Sequence, residues 1–94
     1  MSDPHVTRLS PPPVFNCIVH VAPPDASGAV VARVANLAGL EARGRTEREA
    51  LAQVVTAFKA RLAAHVAAGE TIPWLDPATP VKPGETQRLI AVHL

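Results

Sequence analysis

The sequence predicts an α+β domain, with one long helix packed on one face of an antiparallel sheet in the order β-β-β-α-β. Three observations predict it. Residues 46–68 carry apolar side chains at spacings of three and four behind a capping signal, the pattern of an amphipathic helix. Segments of period-two alternation precede and follow it, the pattern of half-buried strands. No other stretch could form a second long helix, so the strands must pack on this one.

The totals bound the possibilities. Ninety-four residues make one small domain. A chain of this size buries only about 60–65% of its unfolded surface, so pairing with a second copy or a partner would help it. The apolar fraction is 48%, mostly Ala and Val, and two Phe, one Trp and no Tyr leave few large anchors. A net charge of +1 suggests neither a nucleic-acid nor a membrane-surface protein. Cys17 is the single cysteine, which excludes an internal disulfide and fits a reducing compartment. There is no apolar h-region in residues 1–13 and no apolar run near the length of a membrane span, so a cytoplasmic protein is expected.

In chain order, residues 1–13 form a polar arm carrying Pro4, Pro11, Pro12 and Pro13, which can build neither sheet nor helix. The single domain occupies 14–94. Residues 14–22 read as a strand with Phe15, Cys17, Val19 and Val21 toward the helix and Val14, Asn16, Ile18 and His20 outward. Residues 23–28 are a turn by composition. Residues 29–35 return as a second strand, with Val30, Ala32 and Val34 on one face and Val31 and Arg33 on the other. Residues 36–40 interrupt the alternation, and 41–45 form a short third strand with Ala42 inward.

Thr46-Glu47-Arg48-Glu49 has the form of a capping box, and two acids in the first turn suit the helix dipole. Leu51, Val54, Val55, Phe58, Leu62 and Val66 make the apolar stripe, and Gly69 is placed to end the helix in a left-handed conformation. Residues 70–85, with four prolines, form an irregular loop pinned by Trp74 and Leu75. Residues 86–94 close the chain as a strand, with Ile90, Val92 and Leu94 alternating against Leu89, Ala91 and His93.

The stretch from Phe15 through Pro73 resembles the HicB-like antitoxin family of type II toxin-antitoxin systems. The resemblance rests on the strand Phe15-Asn16-Cys17-Ile18-Val19, on Gly28 and the strand after it, and on Gly44-Arg45-Thr46-Glu47-Arg48-Glu49-Ala50, which keeps the family's Gly-x-Thr-x-x-Glu-Ala. The long helix and Ile72-Pro73 after it are also kept. Ala35-Asn36-Leu37-Ala38-Gly39-Leu40 keeps the Leu and Gly of a family Pro-Asp-Leu-Pro-Gly-Cys signature and departs from the rest. The resemblance implies a partial RNase H-like sandwich. It also implies a protein that binds a small HicA-type mRNA-cleaving toxin and covers its active site. Many members add a C-terminal DNA-binding module. This chain stops in its last strand, so direct operator binding is not expected. A partner of a basic toxin would more naturally be acidic, and the near-neutral charge departs from that.

The residues offer no site for chemistry. RNase H-like nucleases need carboxylates converging on metal ions, and the first two strands contain no Asp or Glu. The acids fall in turns, caps and loops. His20 and His93 would approach each other on the outer face if their strands are neighbours, but no metal-ligand spacing supports a site. Cys17 alternates with Phe15 and Val19 and reads as a small core residue. Gly44 is expected to take a positive φ beside the cap, and Gly39 to do so in a turn. Arg43, Arg45 and Arg48 cluster at the helix start, where pairing with Glu41, Glu47 and Glu49 is the ordinary reading.

The expected function is therefore protein binding without enzymatic activity, and without cofactor or metal. The expected surface is the outer sheet face: Asn16, Ile18, His20, Val31, Arg33, Leu89, Ala91 and His93. Ile18, Val31 and Leu89 are apolar there, where a single helix cannot cover them. The expected partners are a HicA-type toxin and a second copy, in a homodimer or higher oligomer. The alternatives are a self-associating or adaptor module without a toxin, and a nucleic-acid-binding module using Arg33, Arg43, Arg45 and Arg48. The last lacks aromatic stacking platforms.

Overall fold

The computed structural model describes residues 13–94. The expected arm lies outside them, apart from Pro13. The described chain is α+β: strand β1 (Val14–Val21), β2 (Val30–Val34), β3 (Glu41–Gly44), helix α1 (Glu47–Ala67) and β4 (Thr86–His93). The strands form one open antiparallel sheet in the order β3-β2-β1-β4.

The register sorts the side chains as the alternation predicts. Val19 pairs with Val34, Val21 with Ala32, Ala32 with Ala42, and Cys17 with Ile90. These residues share the helix face. Ile18 pairs with Leu89, His20 with Arg33 on one side and Gln87 on the other, and Val31 with Arg43, all on the opposite face. β4 runs along all of β1, whereas β2 covers only its C-terminal end. Asn36 extends the ladder with its side chain: Ile18 N donates to Oδ1 at 3.1 Å, and Nδ2 donates to the Asn16 carbonyl at 2.8 Å.

α1 begins at its cap. Glu49 N donates to Thr46 Oγ1 at 3.1 Å, while the Glu49 carboxylate accepts from Arg45 N rather than from Thr46 N. The helix ends in a Schellman motif. Glu70 N bonds the His65 carbonyl at 2.9 Å, Gly69 N bonds that of Val66 at 3.1 Å, and Gly69 has φ +69°. Ala50, Val54, Phe58 and Leu62 are fully buried. Val66 is 54% exposed, contrary to its place on the predicted stripe. The helix packs mainly over β2 and β3. A 21-residue helix spans about 32 Å and a five-residue strand about 17 Å, so the last turn overhangs the strands that support it.

The core also draws on the loop between β2 and β3. Ala35, Leu37 and Leu40 are buried there, Gly39 takes φ +84°, and Val34 N bonds the Leu40 carbonyl. Gly44 is not in the positive-φ region, which corrects the expectation for it. A Cβ at Gly44 would lie 2.7 Å from the backbone N of Ala50, so glycine is needed there for close approach of β3 to α1.

After α1 the chain does not return directly into the sheet. Trp74 packs with ring centroids 6.0 Å from both Phe15 and Phe58. Leu75 N then bonds the Asn36 carbonyl, and Thr79 N bonds that of Ala35, at the end of β2. From there the loop passes to the outer face and reaches β4 opposite Val21. This detour starts β4 at the far end of β1, and the two strands are antiparallel for that reason.

Candidate interaction surface

All eight residues of the predicted surface lie on the outer face, and the loop divides them. The half under the loop is a polar strap. Arg33 Nε and Nη2 donate to the two Glu85 carboxylate oxygens at 3.0 and 2.7 Å, Nη1 donates to Thr79 Oγ1, and Nη2 also to the Pro80 carbonyl. The hydrogen bonds from Arg33 hold the Glu85 carboxyl down to about 2, from an ordinary 4.5. His20 lies beneath. It is 1% exposed, which corrects its expected outward exposure. Its Nε2 lies 3.0 Å from Gln87 Oε1, and Nδ1 lies 3.8 Å from Glu85 and has no hydrogen-bond partner among the described residues. Arg33 and His20 are thus committed within the fold.

The other half is left uncovered by the described residues. Asn16, Leu89, Ala91 and His93 are exposed, and Ile18 and Val31 are half-buried. Leu89 is 70% exposed and Val14, on the same face, 50%. Val14 pairs with His93, Asn16 with Ala91 and Ile18 with Leu89, so these side chains form one continuous strip across β1 and β4. His20 and His93 do not meet. His20 pairs with Gln87, whereas His93 pairs with Val14, about 20 Å along β1 from His20.

Among the described residues, β4 is also an open edge. Leu94 N bonds the Pro13 carbonyl on the β1 side. Backbone direction alternates along an antiparallel strand, so Gln87, Leu89, Ala91 and His93 turn their N–H and C=O groups away from β1. The other edge, β3, has four residues and alternates Glu41 and Arg43 on its outer side.

Arg43 and Glu47 have partners outside the pairings expected at the helix start. Arg43 pairs with Asp25, whose Oδ1 accepts from Ser27 N, Ser27 Oγ and Ala29 N and shapes the β1–β2 turn. The bond from Ser27 is the largest cause holding the Asp25 carboxyl down to about 2. Glu47 pairs with Arg88, not with its own cluster, at 2.8 Å. A cleft of about 570 Å³ between the β1–β2 turn and the start of α1 is lined by Arg43, Arg45 and Glu49 among others, but Arg43 and Glu49 are already bonded. Cys17 is fully buried, and burial pushes its thiol up to about 11, so it is a poor nucleophile at neutral pH. Among the described residues, no three His, Cys, Asp or Glu are grouped to hold a metal ion, and no helix is long and apolar enough to cross a membrane.

Sequence reasoning missed the strap. Glu85 lies 52 residues from Arg33 and inside a proline-rich loop. The only available signal was an Arg on an otherwise apolar strand, which calls for a carboxylate partner. Compared with protein families, with characterised proteins and with solved structures, the chain matches none of them.

Proposed function

We propose that this domain acts by binding protein through the uncovered strip of its outer sheet face, without catalysis of its own. The observation that carries the proposal is the run of Val14, Ile18, Leu89 and Ala91 across β1 and β4, apolar and not covered by helix or strap. Contiguous apolar surface on a small domain marks an interaction site. Asn16 and His93 rim it with polar groups.

The identity of the partner rests on the resemblance to HicB-like antitoxins, carried by the Gly44–Ala50 motif, the first strand and Ile72-Pro73. On that reading the domain is a partial RNase H-like antitoxin that sterically blocks a small HicA-type mRNA-cleaving toxin. The dispersal of its carboxylates into caps, turns and the strap supports binding rather than nuclease chemistry. The test is co-expression of the chain with HicA-type toxins. Restored growth and protected RNA are expected, and the purified chain alone should leave RNA intact. Failure to rescue or co-purify with any such toxin sinks the antitoxin reading.

A second reading has an observation of its own. The open edge of β4 favours a self-associating module, which needs no toxin. Nucleic-acid binding has less support, because Arg33 and Arg43 are already paired with carboxylates.

A further inference from the structure

We propose that the open edge of β4 pairs with the same edge of a second copy, about a twofold axis at Ile90, to make one continuous sheet through both molecules. This goes beyond toxin binding and does not depend on it.

Exposed edges recruit other strands unless they are short, charged, bulged or interrupted by proline. β3 is short and charged. β4 has eight residues without Pro or Gly, and its pairing with β1 is unbroken. Its one Arg or Lys, Arg88, points to the helix face and is held by Glu47.

The edge is complementary to itself. Its outward backbone groups belong to the odd-numbered residues, so these must form the hydrogen-bonded pairs of any added antiparallel strand. Centring the twofold on Ile90 places Leu89 opposite Ala91 of the second copy and Gln87 opposite His93. Both pairs match in polarity, and together they make about eight backbone hydrogen bonds. Ile90 faces its own copy on the helix side, which adds apolar contact to a half-buried residue. The two Arg88 side chains end up about 13 Å apart along the strands, so no like charges oppose each other. A foreign strand supplies the hydrogen bonds but not this matching on both faces. Space is available, because α1 lies over β2 and β3 and touches β4 least.

The test separates outward from inward backbone groups. Proline is tolerated on an edge strand where its missing N–H would have faced solvent. Ala91→Pro removes an outward donor and leaves the β1–β4 ladder whole. The wild-type chain should sediment as a dimer, and Ala91→Pro as a monomer with unchanged far-UV circular dichroism. Amide exchange gives a second measurement if that variant fails to fold. In wild type, exchange at Gln87, Leu89, Ala91 and His93 should slow at least tenfold as concentration drives association. A wild-type chain that stays monomeric at its solubility limit overturns the proposal. So does a dimer that survives Ala91→Pro, or one formed without added protection at those four amides.

Discussion

At the scale of single residues, the fold is sensitive where side chains meet backbone or ring. Phe58 is fully buried and shares Trp74 with Phe15. Phe58→Ala should cost about 3–5 kcal/mol, and fluorescence of the single Trp should report it in a denaturant melt. A loss below about 1 kcal/mol would contradict this packing. Gly44→Ala should cost about 1–3 kcal/mol, because its Cβ would press on the Ala50 backbone. A neutral result would show that β3 and α1 separate freely. Glu85 adds a pH dependence. Its carboxyl is lowered from 4.5 to about 2 in the folded chain, so its stabilisation is present above about 4.5 and is lost as pH falls toward 2. Glu85→Gln should remove part of that acid limb in melts taken across the same window. The part left should include Asp25, which is lowered from 3.8 to about 2. An unchanged acid limb would mean that the strap contributes nothing to folding.

At the scale of elements, local chemistry made the helix legible and long-range chemistry kept the strap hidden. Thr46, Glu49 and Gly69 lie next to the turns they stabilise, so both ends of α1 could be read to within a residue. Thr46→Ala should accordingly destabilise by roughly 0.5–2 kcal/mol in thermal or denaturant melts. Strand faces were legible for the same reason, since alternation fixes which side chains share a face. Gly44 is needed for space and not for a positive φ, and that need depends on a helix that folds back onto it. Leu37 and Leu40 are core residues that no period marks, as they sit in a turn. The exposure of His20 could not be read from β1 alone. It is decided by Glu85 and Gln87, more than sixty residues away in sequence. The eight residues of the candidate surface therefore share one face, and the strap takes His20 and Arg33 out of its uncovered part.

At the scale of the molecule, one helix and one strap leave part of a four-stranded sheet uncovered. α1 covers the helix face of β2 and β3. The strap crosses the outer face beside Arg33. Among the described residues, what remains is the apolar strip over β1 and β4, next to an unpaired edge. A small domain with a modest core gains from partners at such a surface. The most direct measurement is a calorimetric titration of a HicA-type toxin into the wild-type chain and into a variant carrying Val14→Asp and Leu89→Asp. Both side chains are exposed, so the variant should keep its helix signal in circular dichroism. Saturable binding by wild type, weakened at least a hundredfold in the variant, is the expected result. Equal binding by both chains would place the interface elsewhere, and absence of binding by wild type would contradict the toxin reading itself.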